Sequence, residues 1–310
     1  MNKGGLSMLT KEQRLHMLQC PREPVDLVLD TDTYNEIDDQ FALSYALCAP
    51  EKLHLKAVYA APFFNDRSSG PADGMERSYQ EILNLFRLAG REAPAFRGAP
   101  GYLPDEKTPV DSPAVQDLCA RAMQYSREKP LYVAAIGAIT NIASALLLQP
   151  EIADRIVIVW LGGHSIHWPD NREFNCQQDV AAARVVFASG APLVILPCMG
   201  VVSACTTTGP ELEYWLRGKN ALCDYLADHT IEAAEEYARG KVWSRVIWDI
   251  TAIGWLMNDQ GNLMQDTLFP TPIPEYDHRY SFDETRPLCR YVYHIHRDAL
   301  FQDLFDHITK

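Results

Sequence analysis

The feature that most restricts the fold of this chain is a repeated alternation. A short, almost wholly apolar run is followed by a polar loop and then by a stretch of helical periodicity. The plainest apolar run is Ile156-Val157-Ile158-Val159-Trp160-Leu161. A run with no polar position fits a strand buried on both faces, as happens where helices cover both sides of a parallel sheet. Val25–Leu29, Leu55–Ala60, Leu131–Ile136, Arg155–Leu161 and Leu193–Leu196 are read as strands. Helical patterns are read over Ile37–Ala49, Asp73–Leu88, Asn141–Leu148 and Asp179–Ala188. Strands alternating with helices predict an α/β fold with a mainly parallel sheet.

The remaining segments are compatible with that frame. Thr10–Leu18 reads as a short helix with Thr10 as its N-cap. Glu211–Gly240 is helical, with Asn220–Tyr237 as one long helix. Residues 269–296 look β-rich, with Tyr291–Ile295 the clearest strand, and Arg297–Ile308 closes as a helix. No repeat, low-complexity tract or linker interrupts the chain, so one domain over 1–310 is expected, with 1–24 as an N-terminal extension. A chain of 310 residues that is 47% hydrophobic can bury a core without disulfides. Its eight cysteines include no CxxC pair, which predicts reduced thiols. Met1–Pro24 has no apolar secretory core, so a cytoplasmic location is expected. The net charge of −13, with no Lys/Arg run, argues against a nucleic-acid polymer or an anionic membrane as partner.

In open α/β sheets, ligands sit beyond the carboxyl ends of the strands, so the loops after strands carry the functional reading. The first such loop runs from Asp30 to Asp39 and holds five acids in ten residues: Asp30, Asp32, Glu36, Asp38 and Asp39. Asp38 and Asp39 could serve as helix caps. Capping leaves the other acids unexplained, whereas a hard divalent cation takes clustered carboxylate oxygens. Zinc ligand spacing is absent. The second loop, Gly137-Ala138-Ile139-Thr140-Asn141, opens a helix. The third carries Gly162-Gly163-His164 and then Glu173-Phe174-Asn175. In the fourth, Asp249 stands among apolar residues beside Trp248, where an unpartnered charge is costly.

Together these loops resemble the nucleoside hydrolase family, the inosine–uridine-preferring type and its purine-specific relatives, from Val25 to about Gly254. The resemblance implies an open, mainly parallel, doubly wound (Rossmann-like) sheet flanked by helices, with a small β-rich C-terminal excursion. It also implies hydrolysis of the N-glycosidic bond of ribonucleosides to base and ribose, using a calcium-bound water. Ca²⁺ would be held by Asp32, Asp39, Asp249 and the backbone carbonyl of Thr140, with Asp32 also the general base. Asp38, Asn65 and Asn175 would grip the ribose 2′ and 3′ hydroxyls, and Glu173 the 5′ hydroxyl. A homodimer or homotetramer is implied in the same way.

Three departures mark this chain. Five residues separate Asp32 from Asp38, where the family loop has three, so Asn35 and Glu36 are extra. The approach to Glu173 lacks the family's Asn, and His167 or Trp168 is expected to fill that space, which opens the way to a substrate altered at its 5′ position. Trp248 stands where pyrimidine-accepting members have a His acid and purine-specific members a Trp. An indole cannot serve as an acid, so stacking on the base is its available role, and purine nucleosides are favoured. Phe63, Phe64 or Trp168 could supply the opposite face, and His164 or His167 a proton. Two rival readings stand beside this one. Asp30-Thr31-Asp32-Thr33 also fits a haloacid-dehalogenase-like phosphatase, though no matching Lys is found. The chain could also be a calcium-dependent nucleoside- or sugar-binding protein without catalysis.

Overall fold

A computed structural model describes residues 9–310. Its centre is an eight-stranded sheet in the order β3-β2-β1-β4-β5-β6-β12-β9. The strands are β1 (Val25–Thr31), β2 (Leu53–Ala60), β3 (Ala95–Arg97), β4 (Leu131–Ala135), β5 (Ile156–Leu161), β6 (Leu193–Leu196), β9 (Met264–Pro270) and β12 (Leu288–Ile295). All neighbours are parallel except β12 and β9. Two small antiparallel ribbons stand apart, one of β7 (Thr206–Thr207) with β8 (Arg245–Val246), the other of β10 (Ile273–Pro274) with β11 (Tyr280–Ser281).

The period-two logic of a doubly covered sheet is visible along β5. Ile156, Ile158 and Trp160 join one core, and Val157, Val159 and Leu161 join the other. The second of these cores is completed by helices Asp39–Cys48, Pro71–Ala89, Ala221–Ala238, Ile250–Met257 and Arg297–Ile308. The first is completed by helices Pro113–Ala122, Thr140–Leu148 and Val180–Ala188. Thr10 caps the first helix (Lys11–Met17) in a reciprocal pair with Gln13, as its position predicts. Among the described residues no helix is long and apolar enough to cross a membrane.

Three segments differ from the sequence reading. The β-rich C-terminal stretch begins earlier, at Met264, and its two long strands extend the main sheet, leaving only the β10–β11 ribbon as an excursion. The Glu211–Gly240 region is two helices, Gly209–Trp215 and Ala221–Ala238, because Asn220 caps the second by accepting from the Cys223 N–H at 2.8 Å. The short edge strand β3 and the helix Pro113–Ala122, whose Ala114, Val115, Leu118 and Ala122 form a buried face, are additions to the sequence reading.

Strand order reverses between β1 and β4, which makes their carboxyl ends the switch point of the sheet. Asn141 pins that point. Its side-chain amide donates to Asp30 Oδ1 at 2.7 Å and to the Ala60 carbonyl at 3.4 Å, and its oxygen accepts from the Ala99 N–H at 2.8 Å. It is fully buried, so none of these groups can turn to water instead. We therefore expect Asn141→Leu to lower unfolding free energy by about 2–3 kcal/mol, read as a fall in the urea midpoint at unchanged slope. An unchanged midpoint would show that Asn141 does not hold the switch point.

Candidate active site

Beyond the end of β1 the chain turns through Asp32 and the enlarged loop to Asp38, where the helix Asp39–Cys48 begins. Asp38 occupies the N-cap position but makes no side-chain capping bond, so capping does not account for it. Carboxylate oxygens of Asp38, Asp39 and Asp249 all lie within 4.8 Å of one another, and all three residues are buried. Asp249 arrives from another part of the chain, at the start of the helix Ile250–Met257. Asp32 lies alongside: both its carboxylate oxygens are buried with no hydrogen-bond partner. The turn after β4 presses on it, since a Cβ on Gly137 would stand 3.1 Å from Asp32 Cγ. That closeness is a physical reason for glycine at 137.

The electrostatics follow from this crowding. Burial pushes Asp39 up to about 8, reinforced by Asp38 and opposed by the Thr31 hydroxyl, which donates to Asp39 Oδ1 at 2.5 Å. Burial, then the charges of Asp39 and Asp38, hold Asp32 well above the usual range. Asp249 is raised for the same reasons. Asp38 is raised by burial, against the pull of the Arg245 guanidinium, and accepts from the Trp248 N–H at 3.2 Å. Asp30 is raised to about 7 by burial, with Asn141 opposing. Four buried acids with two orphaned oxygens form a hard-oxygen donor set, and a divalent cation fits it.

A cleft of about 230 Å³ opens beside these acids, and its walls include Asp38, Asp39, Asp249, Trp248, Glu173 and Asn175. Asn175 donates its amide to the carbonyls of Ile136 at 3.2 Å and Leu161 at 3.1 Å, which leaves its oxygen to accept a ligand hydroxyl. Glu173 is engaged differently from expectation. Its carboxylate takes the backbone N–H groups of Gly163, Asn175 and Cys176 at 2.8–2.9 Å and caps the short helix Phe174–Gln178. Thr140 is buried at a helix start, its hydroxyl donating to Asp179 Oδ2 at 2.7 Å.

Five expected residues stand outside the cleft lining: Asp32 and Thr140, buried behind it, and Asn65, His167 and Trp168. Asn65 donates to Asn35 Oδ1 at 2.6 Å, so it braces the extra loop residue. His167 and Trp168 are exposed; Trp168 packs edge-on against His164, with ring centroids 6.0 Å apart, and it is His164 that reaches the cleft. The sequence reading missed Arg245, whose guanidinium meets Glu36 at 2.5 Å. It also missed Cys198 and Met199 of the cleft wall. Those two follow β6, and the rule that ligands sit beyond strand ends applied to that loop as well.

Each raised carboxyl favours the folded state while protonated. That contribution is complete below the unfolded aspartate value of about 4 and is lost as pH rises through the folded values, which reach about 8 at Asp39. The cation-free protein should therefore melt at a lower temperature at pH 8 than at pH 5. Saturating calcium should raise the melting temperature more at pH 8 than at pH 5, because it binds the ionised acids. A calcium shift independent of pH, or none, would remove the cation from these residues.

Comparison with known proteins places this geometry. Residues 27–290 match the family model described as inosine-uridine preferring nucleoside hydrolase. The pyrimidine-specific ribonucleoside hydrolase RihA of Salmonella typhimurium is 26% identical over 262 residues, covering 76% of this chain and 80% of that protein. Among solved structures, a purine-preferring ribonucleoside hydrolase from Gardnerella vaginalis superposes with a TM-score of 0.73 at 23% identity, over 92% of this chain and 98% of that one. A plant nucleoside hydrolase gives 0.74 at 19% identity, over 92% and 99%. These two show a shared fold. The family is metal-dependent, in keeping with the acidic cluster. The phosphatase reading lapses, and Asp30, its nucleophile, is fully buried with one oxygen on Asn141. The chain belongs to the inosine-uridine preferring nucleoside hydrolase family, and is a ribonucleoside hydrolase, an N-glycosidase.

Proposed function

We propose that this chain hydrolyses purine ribonucleosides in preference to pyrimidine ones, with calcium at the acidic cluster. The observation that carries the reading is the seat of Trp248. It directly precedes Asp249 and lines the same cleft as Asn175 and the converging carboxylates.

Breaking the C1′–N bond builds positive charge on the ribose ring. Asp32, Asp38, Asp39 and Asp249 concentrate negative charge beside the cleft, where it stabilises that developing cation. When bound, a divalent cation supplies a Lewis acid that makes a water more acidic and orients ribose hydroxyls. Calcium is the better match to an all-oxygen donor set of loose geometry. Asp32 has no other partner for its carboxylate and takes the proton of the attacking water. Asp38 and the free oxygen of Asn175 receive ribose hydroxyls. Trp248 offers a ring face, and an indole stacked on a purine favours its protonated, departing form through cation–π attraction. Names among the relatives point both ways, to pyrimidine specificity in RihA and purine preference in the Gardnerella enzyme. Trp248 decides our choice.

The test is ribose release from inosine, guanosine, adenosine, uridine, cytidine and p-nitrophenyl riboside, before and after chelation. We expect the purine nucleosides to lead, with activity lost on chelation and restored by calcium. Pyrimidine preference, or indifference to chelation, would overturn the reading. Nucleoside binding without any release would point to the non-catalytic alternative. Asp32→Ala should cost on the order of a thousandfold or more in kcat. Trp248→Ala should slow purine nucleosides more than p-nitrophenyl riboside, whose leaving group needs no help, whereas equal losses would mark Trp248 as packing.

A further inference from the structure

We infer that the sugar end of the cleft is built for a 5′-phosphate, so that the preferred substrate is a ribonucleoside 5′-monophosphate. This rests on the hydrolase reading above and specifies its substrate class.

The argument begins with acceptor capacity. A carboxylate has about four lone-pair sites. Three of Glu173's are taken by the N–H groups of Gly163, Asn175 and Cys176. A 5′ hydroxyl therefore finds at most one free site on Glu173 to donate to. Two side-chain donors, Arg172 and His164, line the same cleft. Arg172 lines the cleft and is exposed, so it stands where the cleft opens. Its guanidinium has no ion-pair or hydrogen-bond partner among the described residues. His164 lines the cleft too, and its Nδ1 faces the Met199 N–H at 3.3 Å. With Nδ1 accepting, the ring proton resides on Nε2, which is thus a donor. The nearest acid of the enlarged loop, Glu36, is already matched by Arg245 at 2.5 Å. A free fork of N–H donors and an imidazole N–H on the wall of one cleft suit a phosphate better than a hydroxyl.

The reaction is unchanged in kind. Water adds its oxygen to C1′, the C1′–N bond breaks, and one water proton ends on the base, giving free base and ribose 5-phosphate.

The experiment compares inosine 5′-monophosphate with inosine as substrates, and ribose 5-phosphate with ribose as ligands by calorimetry, all with the calcium-loaded full chain. We expect kcat/KM for the monophosphate to exceed that for inosine by about tenfold or more, with a similar gap between the two sugars. Arg172→Ala should pull both ratios toward one, Arg172→Lys should keep part of them, and Arg172→Glu should invert them. Inosine cleaved as well as its monophosphate, or ratios untouched by the Arg172 variants, would overturn the inference. A protein that cleaves nothing yet binds ribose 5-phosphate over ribose through Arg172 would sink the hydrolase reading and support this one. One that cleaves inosine in preference to the monophosphate would do the reverse.

Discussion

Repulsion among buried carboxylates is the constraint on which the rest of the structure depends. Asp32, Asp38, Asp39 and Asp249 all lie beneath the surface, and the charges of Asp32, Asp38 and Asp39 raise the proton affinity of their neighbours. Left alone, such a group would spread apart or stay protonated. The fold prevents spreading by fixing the four acids from three elements: the end of β1, the start of the helix Asp39–Cys48 and the start of the helix Ile250–Met257. The small parts around them then have definite duties. Thr31 holds Asp39, Gly137 lets the β4 turn come up against Asp32, and Asn141 ties the ends of β1 and β2 together. Negative charge concentrated in this way is what a cation and a developing oxocarbenium ion both require.

Around this centre the enlarged loop and the turn before the helix Phe174–Gln178 are tightly held. The two extra loop residues are not slack. Asn35 is gripped by Asn65, and Glu36 is paired with Arg245, which also moderates Asp38. Glu173 has become a structural acceptor that organises the Gly163 turn and the helix Phe174–Gln178. Arg172 and His164 line the same cleft.

The strands were legible because burial on both faces forces an uninterrupted apolar run, and β1, β4, β5 and β6 have one. The acids were legible because carboxylates directly after such a strand have no cheap structural explanation. Asp249 could be found for the same reason, as a charge set among Ile247, Trp248 and Ile250. What escaped notice had no local signal. β3 is three residues long, Arg245 is an ordinary arginine until Glu36 meets it, and Cys198 is an ordinary buried thiol until Glu173 lies beside it. Residues read by proximity in sequence fared worst: His167 and Trp168 are near Glu173 along the chain but face outward, and their neighbour His164 faces in.

The sequence by itself determined the layered α/β frame, the switch-point loops and the identity of the acids, because hydrophobic periodicity and clustered charge are local properties. Tertiary structure alone decided which of those acids converge, that Glu173 is engaged by three backbone N–H groups, and that Arg172 and His164 line the same cleft. Those outcomes depend on distances between residues far apart in the chain. A hydrogen bond or an ion pair exists only when both partners are brought within about 3–4 Å, and no property of either residue alone records that.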